Sequence, residues 1–379
     1  MPSGEELRMV RLTRAQQQER TRASVLAAAE EEFGEHGYAL AKVDRIAERA
    51  ELTRGAVYSN FPSKRALYLA VLIELVERSA GTGPQVPPAS PGEALAAFAR
   101  AWLERLPLTG DTAAGGRLQL RSLAGVLDDD HARTVRAQVA GLEAVLLAVA
   151  LESGERGAAP VRRVRLAELV LTMLDGWSHL AETAPGFGDP FDVVRACRHL
   201  AGSDLADTWA PPHLPHVAPA QPCADAWHPP AGLVDRISGD EVGWGADGLI
   251  TVLGAGRLTA AEEAIRCARP GEQVTVVAVT GDPAETGRLV RLRIGDLTGC
   301  LRRVFPSEAW RSVRLVVADA DDAARVAAAV GMPGVDDETE AAVRVQDGVI
   351  VARAGGRGAA YAASAAGVPR STRPRRAGA

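Results

Sequence analysis

Aromatic residues are scarce in this chain of 379 residues: Phe, Trp and Tyr together make up 4%. Cores built without them have to be filled by Ala, Val and Leu, which suits closely packed helices. The four cysteines (Cys197, Cys223, Cys267 and Cys300) are far apart and form no Cys-x-x-Cys pair. That argues against a disulfide framework or a cysteine zinc site and suits a reducing cytoplasm. No apolar run approaches the ~20 residues that cross a bilayer. The N-terminus is charged and lacks the apolar centre of a signal peptide. A formal net charge of −5 means the chain as a whole does not attract polyanions, so any nucleic-acid contact has to come from a local patch. No Ser/His/Asp set or paired carboxylates stand out, so neither catalysis nor a cofactor is expected.

What is present begins with a polar, Arg-bearing start (Arg8, Arg11, Arg14), expected to be a flexible arm over residues 1–19. The spacing predicts a helix from Thr21 to Glu35, with Val25, Leu26, Ala29 and Phe33 on one face and Glu30, Glu31, Glu32 and Glu35 on the wet side. Gly37 supplies a left-handed stop. A second helix, Val43 to Ala50, turns Val43, Ile46, Ala47 and Ala50 inward and Arg45, Glu48 and Arg49 outward. After a turn at Glu51-Leu52, Thr53 is suited to cap a third helix, Arg54 to Phe61. Val57 and Phe61 face its core, and Gly55 allows close packing. Pro62-Ser63 ends it, and Lys64 opens another helix carrying Leu67, Val71 and Leu75. Helix, tight turn, helix over about 41–60 is a device for placing a short helix in a DNA groove.

The segments FGEHGY (Phe33–Tyr38), IAERA (Ile46–Ala50) and TRGAVYSNFPSKRAL (Thr53–Leu67) resemble the DNA-binding domain of TetR/AcrR-type transcriptional regulators. The resemblance covers Thr21 to about Leu75. It implies an all-α regulator: a helix-turn-helix domain over 20–78, then a helical bundle over 93–205 that holds a small-molecule effector and dimerises through its last helices. The implied partners are operator DNA and a second copy of the chain, and the implied activity is ligand-responsive repression. The DNA-facing residues would be Lys42, Arg45, Thr53, Arg54, Gly55, Tyr58, Ser59, Asn60 and Lys64. Arg54 can reach guanine edges or a phosphate. Ser59 and Asn60 can bond base edges or backbone, while Lys42, Tyr58 and Lys64 would hold phosphates. The chain departs from the family at Ala41-Lys42, where a hydroxyl pair usually precedes the second helix. Loss of the capping hydroxyl should weaken that helix start by about 1 kcal/mol. A lysine in its place should steepen the salt dependence of binding.

Gly81 to Gly92, rich in Gly and Pro, reads as a linker. Helices are expected beyond it: one carrying Leu95, Phe98 and Trp102, then Leu118–Leu127, Arg133–Leu151, Val164–Glu182 and Phe191–Leu200. Trp102, Met173, Trp177 and His179 are the candidate effector-pocket residues, and the 164–200 region is the dimerisation candidate. Residues 206–232 form a Pro-rich linker. Its His213, His216, Cys223 and His228 resemble metal ligands only superficially, because the prolines prevent the regular turns that fix ligand geometry, and no metal is expected. From 233 to 367, short Val-rich runs alternate with helices, giving an α/β domain with a mainly parallel sheet, thioredoxin-like or Rossmann-like, of unknown role. Asp347-Gly348 marks a hairpin. Gly254-Ala255-Gly256 is a partial dinucleotide fingerprint, with Thr259 at the third glycine's place and Asp282 late for the acidic position. The alternative reading is therefore a regulator fused to a nucleotide-binding or enzymatic domain. A domain used for sensing or protein contacts is favoured, because no catalytic set is present. Residues 368–379 form a basic tail.

Overall fold

A computed structural model describes residues 13–79, 87–106, 118, 121–154 and 161–366. Most of the arm (with Arg8 and Arg11), most of the first linker and the basic tail lie outside the described residues. Helix α1 runs from Arg14 to Leu40, longer than the pattern predicts at both ends. Thr13 and Gln16 form a reciprocal capping box that starts it, so the expected arm is already helical from Arg14. Gly37, at φ 69°, breaks the helical geometry where the stop was expected. Next come α2 (Val43–Arg49), α3 (Arg54–Asn60) and α4 (Lys64–Arg78), within a residue of the predicted bounds.

The bundle follows as α5 (Pro91–Leu103), α6 (Asp130–Glu152), α7 (Val164–Thr183) and α8 (Pro190–Leu200). The helix expected over 118–127 is not continuous. Leu118 is helical and residues 119–120 lie outside the described residues, but 121–127 are turns, with Arg121 at φ 50°. Ala, Val and Leu make α6 long and apolar enough to cross a membrane by composition, contrary to the expectation of no such run. In this fold it is the central helix of the core, with Leu142, Leu146 and Leu147 fully enclosed.

The C-terminal part is a six-stranded sheet in the order β1-β6-β5-β2-β3-β4. The strands are β1 (Gln221–Ala226), β2 (Gly248–Gly254), β3 (Gln273–Val279), β4 (Val313–Val317), β5 (Glu340–Gln346) and β6 (Val349–Gly355). The helices between and after them are α9 (Ala261–Cys267), α10 (Thr286–Arg302), α11 (Ala320–Val330) and α12 (Ala359–Ala365). Only β2, β3 and β4 run parallel; β5, β6 and β1 pair antiparallel. The sheet is therefore mixed rather than mainly parallel. A two-residue turn such as Asp347-Gly348, both at positive φ, can only return the chain antiparallel. Strand β1 comes from the stretch expected to be a linker. Pro222 is tolerated there because β1 is an edge strand.

The two halves share one core. A continuous apolar cluster runs from Val25 in α1 through Phe98, Leu146 and Leu174 to Leu292 in α10 and Ala363 in α12. A smaller cluster with Val252, Val277, Val316 and Trp227 covers the other face of the sheet. Helix α10 belongs to the larger cluster and packs on both α4 and α6. Leu289, Leu292, Ile294, Leu297 and Leu301 are all buried, so α10 is enclosed on almost every side. The helix-turn-helix segment's influence thus does not end near residue 205, as the composition break suggests.

Charged groups crossing this seam are paired. Arg293 of α10 meets Glu143 of α6 at 3.0 Å and Asp175 of α7 at 3.4 Å, and Arg136 reaches the same two carboxylates. Asp296, 5% exposed, is held between Arg105 and Arg121. Burial alone would raise the Asp296 pKa. Arg105, Arg121 and Arg293 overcome that and hold it below the ordinary carboxylate value.

Candidate nucleic-acid interface

The apolar residues of α2 and α3 are consumed by the core. Ile46 and Ala47 of α2, Val57 of α3 and Phe61 at its end are all buried. That fixes the remaining face outward: Lys42, Arg45, Thr53, Arg54, Gly55, Tyr58 and Ser59 are exposed, and Asn60 is half-buried. Thr53 caps α3 as expected, its hydroxyl accepting from the Ala56 N–H at 3.2 Å. Gly55 is not needed for packing within the chain, because a Cβ there would meet nothing closer than Thr53 Oγ1 at 3.8 Å. It leaves bare backbone on the outer face instead.

Arg54 lies over the Tyr58 ring at 5.5 Å and pairs with Asp44 across the turn at 3.3 Å. Its bond to Tyr58 and then the charge of Asp44 raise its pKa further. Asp44 was absent from the candidate set. The signal for it was an acid in the first turn of α2, close in sequence to the presented face. Arg45 contacts His36 Nε2 at 3.0 Å. Ser59 and Asn60 both donate to the Ala56 carbonyl, at 2.8 and 2.9 Å, so their polar groups are parked on their own helix.

Lys64, expected as a phosphate ligand, is engaged within the chain. Its Nζ donates to the Ala39 carbonyl at 3.2 Å and sits 4.9 Å from the centre of the Tyr38 ring. Burial lowers its pKa. It ties the start of α4 to the end of α1.

The entry to α2 is also built differently. Lys42 is the N-cap and makes no side-chain capping bond, as the absence of a hydroxyl implies. Ala41 is buried. The Glu32 carboxylate, expected on the wet side of α1, is fully buried and accepts from the Lys42 N–H at 3.1 Å. Arg49 lies 3.4 Å from Glu32 and also pairs with Glu31 and Glu35. Among the described residues, Glu32, Glu35 and His36 form the one group spaced closely enough to hold a metal. Arg49 already supplies the positive charge there.

The start of α4 is gripped from two sides. Arg65 pairs with Asp128 and Asp129 of the bundle, at 2.5 and 2.8 Å, and with Glu285 beside α10 at 3.2 Å. Ser63, which caps α4, also donates to Glu285. Arg288 of α10 donates to the Ala66 carbonyl and lies 5.4 Å from the Phe61 ring at the end of α3.

The four expected pocket residues do not converge. Trp102 is buried and donates to Ser178 Oγ at 3.2 Å, while Trp177 packs on Gly188 and His179 is exposed. Met173 is half-buried against the core. The clearest cleft near the bundle, about 400 Å³, lies instead between α4, α5 and α10. It is lined by Leu75, Val76, Arg105, Arg121 and Cys300, and by none of those four.

In the α/β part, His213 pairs with Glu263 at 2.5 Å, away from any metal set with His216, Cys223 and His228. The glycines of Gly254-Ala255-Gly256 have a local reason. A Cβ at Gly254 would lie 2.3 Å from the Asp337 carbonyl, and one at Gly256 2.8 Å from the same atom. The acidic loop Asp336-Asp337-Glu338 packs against both glycines.

Residues 25–71 match the family model described as bacterial regulatory proteins, tetR family. The N-terminal segment is therefore a helix-turn-helix DNA-binding domain, and specifically one of the TetR family. Over 69 residues the chain is 45% identical to the HTH-type transcriptional regulator TtgR of Pseudomonas putida, covering 18% of this chain and 32% of that protein. Over 71 residues it is 42% identical to the HTH-type transcriptional activator FasR of Mycolicibacterium smegmatis, covering 19% and 31%. The chain thus spans about a third of the length of these relatives. Solved structures that overlap it include a transcriptional regulator from Rhodococcus (23% identical, TM-score 0.31, 48% of this chain and 94% of that one). Another is the TetR regulator TylP of Streptomyces fradiae (23% identical, TM-score 0.32, 50% and 87%). Overlaps with TM-scores this low add nothing to the family match.

Proposed function

We propose that the chain is a transcriptional regulator that binds a two-fold operator as a homodimer and releases it in response to a small molecule. The observation that carries this reading is the outward face of α2 and α3, where Lys42, Arg45, Arg54, Tyr58 and Ser59 are all exposed around the bare backbone of Gly55. Lys42 and Tyr58 hold phosphates, and Arg54 reads a base edge once it exchanges Asp44 for DNA. Ser59 and Asn60 rotate off the Ala56 carbonyl to do the same. Lys64 positions the domain rather than touching DNA. Acting on DNA places the protein in the cytoplasm.

Two copies are needed to place two recognition helices about one DNA turn apart, ~34–36 Å. Exposed apolar residues concentrate on and between α7 and α8: Leu169, Leu180, Phe187 (65% exposed) and Phe191 (74% exposed). A surface of this kind favours burial against a second copy. The effector enters the cleft beside α4 and shifts the domain only through its differential affinity for the two arrangements. The α/β domain acts in sensing and in holding α4. The rival reading, a nucleotide-binding or enzymatic domain, is disfavoured by the acidic loop against Gly254 and Gly256.

The test is fluorescence anisotropy with the full chain and DNA selected from random oligonucleotides. Saturable, sequence-dependent binding that Tyr58→Ala weakens about tenfold supports the reading. Binding indifferent to sequence removes it.

A further inference from the structure

A second cleft, of about 230 Å³, lies between α4, α10 and the loop before β2, separate from the DNA-facing surface. Three arginines line it: Arg236 from the loop, and Arg291 and Arg302 from α10. Its carboxylates do not balance them. Arg291 pairs with Glu77 of α4 at 2.5 Å. Asp235, the other acid, is buried and spends its oxygens on the backbone N–H groups of Ile237, Ser238 and Leu315. Among the described residues Arg302 bonds only Thr298, through its carbonyl and hydroxyl. Among the described residues no carboxylate pairs with the Arg236 guanidinium.

Two donors on the lining arginines have no acceptor among the described residues. The Nε–H groups of Arg236 and Arg291 are both buried without an acceptor. A buried charged donor without an acceptor is costly, so the positive charge of both guanidinium groups is under-compensated within the fold. The arginines also oppose one another. Burial, then the positive field of Arg291, push the Arg236 guanidinium below its ordinary pKa. The loop presenting Arg236 is anchored to the sheet. Its backbone N–H donates to Leu315 of β4 at 2.6 Å, and Asp235 ties the turn to the same strand. The remaining wall is apolar, with Ile73 and Val76 of α4.

We propose that this cleft binds a small molecule bearing an oxyanion, a phosphate or a carboxylate, on a short apolar body. The anion accepts from Arg236, Arg291 and Arg302, since guanidinium forks match both groups. The apolar part rests on α4. The bound molecule bridges the α/β domain to the helix that follows the recognition helix. As an effector site it rests on the regulator reading above, but binding itself does not, and so it is measured first without DNA.

The experiment is calorimetric titration of the full chain with phenyl phosphate and, in parallel, phenylacetate, at fixed ionic strength with chloride as the matched control. At least one should bind saturably at one site per chain. Arg236→Gln and Arg302→Gln should each weaken it about tenfold, the loss expected for one charge-assisted bond. Arg195→Gln, exposed on α8 and paired only with Asp192, should leave it unchanged. Two variants keep the test open if one fails to fold. Absence of saturable binding of either probe, or wild-type affinity in the folded arginine variants, overturns the proposal. Adding DNA afterwards separates the two readings: binding without any effect on DNA affinity keeps the anion site and removes its effector role.

Discussion

At the scale of single residues, the surface proposed to face DNA is a set of side chains held by weak internal partners. Arg54 is paired with Asp44, both well exposed, and an exposed pair of this kind is worth little, ~0–1 kcal/mol. Exchanging it for a guanine edge or a phosphate therefore costs little. Arg54→Ala should lose about 1–3 kcal/mol of discrimination at one base pair while non-specific binding barely changes. Selection with the variant protein checks this, and unchanged specificity would make Arg54 a phosphate contact. Lys42 replaces a hydroxyl with a charge. Lys42→Ala should lower affinity for all sequences alike and reduce the slope of log affinity against log salt by about 1. A slope unaltered across a salt titration would show that Lys42 touches no phosphate.

At the scale of elements, α10 determines how the halves of the chain are joined, and Asp296 is its critical charge. Asp296→Asn leaves Arg105 and Arg121 without their carboxylate, and breaking a buried pair costs about 3–5 kcal/mol. Denaturant unfolding measures the loss. The pH dependence has a definite sign. The Asp296 pKa is depressed in the fold, so its stabilisation is complete above the ordinary carboxylate range, about 4, and disappears as pH falls below it. The asparagine variant should lose that part of the acid dependence. Much of this scale was legible in the residues. Helices α2, α3 and α4 fell within a residue of their predicted bounds, because Val43, Ile46, Val57 and Phe61 separate cleanly from the polar positions. The hairpin at Asp347-Gly348 was equally plain. The rest depended on partners distant in sequence. Glu32 sits in an acidic run that looks solvated until the Lys42 N–H arrives from α2. Strand β1 was hidden by its proline, which costs nothing at a sheet edge. Helix α10 mixes its leucines with Arg288, Arg291, Arg293 and Arg302, and periodicity does not name the neighbours that enclose it. Trp102 and Trp177 are large enough to line a cavity, but size alone does not say which one: the cleft between α4, α5 and α10 is lined by neither.

At the scale of the whole molecule, one core running from α1 to α12 means that the α/β domain is mechanically continuous with the DNA-binding domain. Glu285 and Arg288 contact the start of α4 and the end of α3, so packed groups connect α10 with the helix-turn-helix segment. The exposed apolar faces of α7 and α8 are where the proposed dimer would form. Leu169→Glu should raise the dimer dissociation constant at least about tenfold, since burying one leucine contributes ~1.5–3 kcal/mol. Sedimentation over a concentration series would show this. The central claim, that the face of α2 and α3 reads DNA as part of a symmetric pair, is tested most directly by selecting bound sequences from random duplex DNA with the full chain. The account predicts an inverted repeat whose half-sites are centred about 10–10.5 base pairs apart, or a whole multiple of that. Enrichment of a single unrepeated site, or no enrichment at all, would contradict it.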